Sequence, residues 1–202
     1  MIKIQTADAG EININQREVH RYLGYGKETP DSNVEAIIKK CTEEIMAVIS
    51  CRACYDRFPL SFDDDLISIG NFTVKSKSLK KNLEGCNEVI LFAATVGVEV
   101  DRIIHKYLSV APSHSVVAQA VGAAVIESWC DRLCDDFKSE LSAENKSLRP
   151  RFSPGYGDLE LGTQKQIFAV LDCPRKIGLS LTDGMLMMPS KSVSAIVGIS
   201  DN

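Results

Sequence analysis

Apolar positions change their spacing several times along the chain, and each change marks a predicted element. Residues 1–14 read as a short strand and turn. Asn15 is placed to cap a helix through Leu23, with Glu18 at the capping-box position. Val34, Ile37, Ile38, Cys41, Ile45, Val48 and Ile49 then recur at helical spacing, predicting an amphipathic helix from Asp31 or Ser32 to about Ser50. Alternation takes over at Phe58, Leu60 and Phe62 and continues at Ile67, Ile69, Phe72 and Val74, so residues 57–75 read as a strand pair or meander. Lys77 to Asn82 predicts a short basic surface helix. The unbroken apolar run Val89-Ile90-Leu91-Phe92-Ala93-Ala94 predicts a buried central strand. Gly97 leads into a helix to about Leu108, and Pro112-Ser113 opens the longest helix, to about Leu141. Thr163 starts a short helix that Pro174 ends. Ile177–Leu181 reads as a strand, Thr182-Asp183-Gly184 as a tight turn, and Val193–Ile199 as a final buried strand. Helices and strands mix without regular βα alternation. The expected fold is α+β: one domain over residues 1–202, with a twisted, mainly antiparallel sheet packed by helices. Within it, an N-terminal helical part of about 1–55 precedes a core part of about 56–202.

Two places break the pattern. In the longest helix, Val116, Ala120, Ala123, Cys130, Cys134, Phe137 and Leu141 form an apolar stripe, and Glu127 falls in its middle. A buried carboxylate must be protonated, paired or wet. Glu127 is therefore either half of an ion pair with a core arginine or the wall of a pocket for a cationic ligand. The second break is Arg149-Pro-Arg-Phe-Ser-Pro-Gly-Tyr-Gly-Asp158. Its prolines and glycines exclude helix interior and central strand, leaving an ordered loop. Arg151 offers a fork of donors to a carboxylate or phosphate, Gly155 permits close backbone approach, and Tyr156 brings a ring face and a hydroxyl. A stiff connector with a solvated arginine is the other reading.

Composition narrows the class of function. A formal net charge of −4 argues against nucleic-acid and anionic-membrane partners. Met1-Ile-Lys-Ile lacks the apolar run of a secretion signal, and no stretch approaches membrane-span length, so a cytoplasmic protein is expected. Seven cysteines, an odd number, are expected to be reduced and mostly buried. Cys51-Arg-Ala-Cys54 has redox or zinc spacing, but no second such pair accompanies it, and no metal site is expected. Three methionines, Met185, Met187 and Met188, flank the turn before Pro189 as core filler or as an adaptable contact surface.

Several landmarks follow one another in a set order. Arg151-Phe-Ser-Pro-Gly155-Tyr156 has the form R-x-x-x-G-Y; Leu181-Thr182-Asp183, Met187-Met188-Pro189 and Ser192-Val193-Ser194 come after it. This series resembles the activation domain of cobalamin-dependent methionine synthase, most strongly over residues 115–199. The N-terminal part is similar to small free-standing bacterial versions of that domain. The resemblance implies an S-adenosylmethionine site. In it Arg151 holds the ligand carboxylate, the backbone of Phe152 meets the ligand, Gly155 and Tyr156 match the glycine-tyrosine pair, and Glu127 is the acidic residue of the long helix. It further implies a partner methionine synthase that carries cobalamin and lacks its own activation domain, and a flavodoxin- or ferredoxin-type electron donor. No catalytic residue is implied, because the nucleophile is the partner's cobalt. The chain through Asn202 carries no tyrosine pair after its last strand, where the long enzyme has one. That difference motivates an alternative: a corrinoid-protein-binding module without tight S-adenosylmethionine binding.

Overall fold

A computed structural model describes residues 1–26 and 28–201. Its centre is an antiparallel sheet in the order β4-β3-β2-β5-β9-β6, with β1 beside β2. The strands are β1 (Lys3–Ala7), β2 (Cys51–Asp63), β3 (Leu66–Ile69), β4 (Phe72–Lys75), β5 (Cys86–Thr95), β6 (Lys146–Leu148) and β9 (Ser192–Asp201). A separate two-stranded hairpin joins β7 (Ser180–Leu181) to β8 (Met187–Met188). The expected α+β class with a mainly antiparallel sheet is what the chain forms. Every pairing around β5 is antiparallel, so its strand–glycine–helix exit does not begin a dinucleotide-binding βαβ unit.

Both faces of the sheet are covered, which is why β5 is apolar at every position of its central run. On one face Ile90, Phe92, Ala195 and Val197 meet α1 (Gln16–Tyr22), α2 (Ser32–Met46), α4 (Val98–Val110) and α5 (Pro112–Ser142). On the other, Val89, Leu91, Ala93 and Ile196 meet α3 (Lys77–Asn82), α6 (Thr163–Leu171) and α7 (Cys173–Ile177). The N-terminal helices start as expected: Asn15 accepts from the Arg17 amide, and Asp31 accepts from Asn33 and Val34. The expected helical part of about 1–55 is narrower in the structure, because β1 and the start of β2 belong to the sheet.

Three local expectations are corrected. Val116 is exposed and Ala123 half-buried, whereas Val117, Val121, Val125 and Trp129 are buried. The buried face of α5 therefore swings around the helix along its length, and Glu127 lies beside it rather than inside it. Pro174 does not simply end a helix. It sits in the first turn of α7, where its missing N–H is not needed, after Asp172 at φ 51° has broken the chain out of α6. The strand expected at Ile177–Leu181 shrinks to two residues, and β6 arises from the polar exit of α5. Cys51 and Cys54 stand an odd number of strand positions apart. Cys51 packs against the α5 face and Cys54 against the α7 face, so their spacing does not bring the two thiols together.

Candidate functional site

The site forms where the sheet runs out of partners. Beyond β6 the chain stays beside β9 only as far as Phe152. The Phe152 N–H donates to the Ile196 carbonyl at 2.9 Å, and the Ile196 N–H donates back at 2.8 Å. There the loop turns away, and no strand among the described residues covers the outer edge of β9 at Ser192–Ser194. A cavity of about 370 Å³ opens at this edge.

Strand alternation decides what faces the cavity. Phe152 pairs opposite Ile196 and so leans to the α6 face, which sends the preceding side chain, Arg151, to the α5 face. Its Nη2 donates to Glu127 Oε2 at 3.1 Å and to Asp131 Oδ1 at 2.7 Å. Glu127 and Asp131 are four apart on α5 and form one acidic ridge. The two readings of Glu127 thus merge: it is ion-paired, its partner is the loop arginine, and both line the cavity. Burial works against the charge of the Arg151 guanidinium, but the anionic surroundings outweigh it and hold its pKa above the ordinary arginine value. Both carboxylates use Nη2, leaving Nε and Nη1 without a partner among the described residues.

The other expected residues fall at different depths. Tyr156 stands at the rim, 69% exposed, its ring available to a ligand. Gly155 adopts φ +91° so that its N–H reaches the Leu159 carbonyl at 2.9 Å, closing the loop on itself. Gly155 does not line the cavity; it shapes the turn that presents Tyr156. The backbone of Phe152 is spent on Ile196, so what it offers a ligand is its ring and the second lone pair of its carbonyl. Met187 packs against the core while lining the cavity, and Met188 is largely exposed, so the methionines divide between core and exposed surface.

The far end of the loop is anchored by a contact that sequence reading missed. Asp158 accepts from Ser76 Oγ at 2.6 Å and from the amides of Lys77 and Ser78 at 2.7 and 3.0 Å. These bonds, led by Ser76, hold its carboxyl well below the usual carboxylate range. A depressed folded-state pKa contributes stability above the unfolded value of about 3.9. That contribution is lost as pH falls below it. Asp158→Asn is therefore expected to melt below wild type at pH 7, with the gap narrowing by pH 3. Thermal unfolding at the two pH values checks this, and a gap that does not change with pH would contradict it. The signal available in the sequence was an acid following a glycine turn, which does not name a partner 80 residues away.

Fold and site together define an α+β domain with a pocket at a sheet edge lined by a paired arginine and glutamate. The chain belongs to the family described as vitamin B12 dependent methionine synthase, activation domain, whose model matches residues 68–202 and so spans every candidate site residue. The structure is similar to the crystal structure of the MetH reactivation domain bound to AdoHcy, at a TM-score of 0.76 and 16% identity, over 98% of this chain and 78% of that one. No curated protein sequence matches the chain. No helix among the described residues is long and apolar enough to cross a membrane.

Proposed function

We propose that the protein is the S-adenosylmethionine-binding reactivation component of a split cobalamin-dependent methionine synthase. It acts on cob(II)alamin carried by a partner that lacks its own activation domain. The observation that carries this reading is one cavity lined by Arg151 and Glu127, with Asp131 paired to the same guanidinium beside it. One guanidinium and two carboxylates sum to −1. S-adenosylmethionine, with a carboxylate, an ammonium and a sulfonium, sums to +1. The Nε and Nη1 donors of Arg151 suit the ligand carboxylate, while Glu127 suits its cationic groups and Asp131 adds negative charge beside the cavity. The cavity volume lies within the range usual for small-molecule sites. The AdoHcy bound to the similar MetH domain supports the same ligand class.

The chain's own residues bind and orient; none is placed to act as nucleophile or general acid. An electron from a flavodoxin- or ferredoxin-type donor and the methyl group of S-adenosylmethionine together return the partner's cob(II)alamin to its methylated form. The test is an anaerobic assay of the corrinoid partner with reductant and S-adenosylmethionine, following loss of the cob(II)alamin absorbance. The expected result is recovery that depends on this chain; recovery at the same rate without it would overturn the reading.

One observation favours the alternative module without tight ligand binding: Arg151 already has two carboxylate partners. In that case Arg151→Ala leaves reactivation and partner capture unchanged. Under the leading reading the variant still captures the partner but no longer reactivates it.

A further inference from the structure

The register between the loop and β9 contains one extra residue. Lys146, Ser147 and Leu148 stand opposite Asp201, Ser200 and Ile199, and the Arg149 N–H continues the ladder by donating to the Gly198 carbonyl at 2.8 Å. The next paired position is Phe152 opposite Ile196. Between these two pairs the loop advances three residues while β9 advances two, so Pro150 and Arg151 share the place opposite Val197. This is a β-bulge, and a proline is tolerated there because no ladder bond needs its N–H. Had the register of β6 run on unbroken, Arg151 would stand opposite Ile196 and face α6. The extra residue turns it to the α5 face, where Glu127 and Asp131 meet it.

Two side chains outside the cavity hold the bulge. Arg149 lays its stem across Gly198, where an added Cβ would come within 3.1 Å of the Arg149 Cγ, and its Nη2 donates to the Glu84 carbonyl at 2.8 Å. Asn82, the last residue of α3, donates from Nδ2 to the carbonyl of Pro150, within the bulge itself, at 3.3 Å. Asp158 grips the start of the same helix and Gly157 lies against Ser78, so both ends of the loop close on α3. Neither Arg149 nor Asn82 lines the cavity.

We infer that Arg149 and Asn82 are positioning residues: they lock the bulge, and the bulge aims Arg151 at the ligand carboxylate. The role assigned to them rests on the S-adenosylmethionine reading; the bulge itself does not. Without their two bonds the loop can slip by one residue toward the register of β6, which carries the guanidinium away from Glu127. The cationic end of the ligand meets Glu127, on α5, and is not affected.

The test compares S-adenosylhomocysteine with its decarboxylated form, which differ only in the carboxylate, by calorimetric titration of wild type, an Asn82→Ala/Arg149→Met double variant and Arg149→Lys. Wild type is expected to prefer the carboxylate form by about tenfold or more. The double variant is expected to prefer it by less than about threefold while binding the decarboxylated form as wild type does. Arg149→Lys keeps a donor for the Glu84 carbonyl and is expected to behave as wild type. Loss of a merely structural support would weaken both compounds alike. Hydrogen exchange of the Phe152 amide reads the bulge without ligand: the double variant is expected to exchange it at least about tenfold faster, with the amides of β5 as protected as in wild type. If the double variant does not unfold cooperatively, Asn82→Ala alone carries the same two readings. A preference that the variant keeps, equal weakening of both compounds, or unchanged Phe152 exchange overturns the inference. If wild type binds neither compound, or both alike, the carboxylate role of Arg151 falls, and the exchange alone decides whether the bulge is locked.

Discussion

Arg151→Ala is expected to bind S-adenosylmethionine at least about 100-fold more weakly than wild type. Nε and Nη1 present a fixed pair of donors, and each charge-assisted bond to a carboxylate contributes about 1.5–3 kcal/mol. Two such bonds at the lower figure already correspond to two decades of affinity at 1.4 kcal/mol per decade. Arg151→Lys keeps the charge but not the fork, and is expected to fall between the two. Stability moves little, about 1 kcal/mol, because Asp131 is 69% and Glu127 38% exposed and water replaces the arginine for both. Equilibrium dialysis with labelled ligand and thermal unfolding, run side by side, check both parts. An alanine variant that binds within a few-fold of wild type would show that the carboxylate sits elsewhere.

The second large effect concerns the scaffold. Trp129→Ala is expected to destabilise the fold by about 3–5 kcal/mol, a large share of the 5–15 kcal/mol usual for a domain. Trp129 is fully buried between α5 and the sheet, and its Nε1–H donates to the Arg52 carbonyl at 3.4 Å. Alanine leaves a cavity and removes the bond from the indole to β2. At about 2–4 °C per kcal/mol for a domain of this size, the midpoint falls by roughly 6–20 °C. Ligand binding weakens as well, because Glu127 and Asp131 flank Trp129 on the same helix. Trp129→Phe, which keeps most of the volume, is expected to lose less. Urea unfolding of the three proteins measures this. A loss below about 1 kcal/mol for the alanine variant would mean that α5 is held by other contacts.

These effects also show where sequence pattern reaches and where it stops. Local patterns located most elements because each is decided by nearby residues: the cap at Asn15, the alternation through Ile67 and Ile69, the apolar run of β5. Glu127 stood out because a charge among apolar neighbours is conspicuous, and Arg151 because proline and glycine isolate it in a rigid loop. What joined the two was not legible from periodicity. It depends on the single bridge between Phe152 and Ile196, which fixes the face Arg151 takes. The position of Glu127 was misjudged for a related reason. A fixed 100° per residue assumes one buried face, while α5 touches different neighbours along its 31 residues. Asp131 gave no signal at all, and Ser194 entered only as part of a landmark of the family resemblance. A polar residue on a helix or strand becomes informative only when its surroundings show it buried, paired or left unpaired.

The central claim is that this sheet-edge cavity binds S-adenosylmethionine. Calorimetric titration of S-adenosylmethionine into the wild-type chain tests it most directly. The account predicts saturable binding of one ligand per chain, lost in Arg151→Ala. The absence of saturable heat up to millimolar ligand, with the protein folded by thermal unfolding, would contradict it.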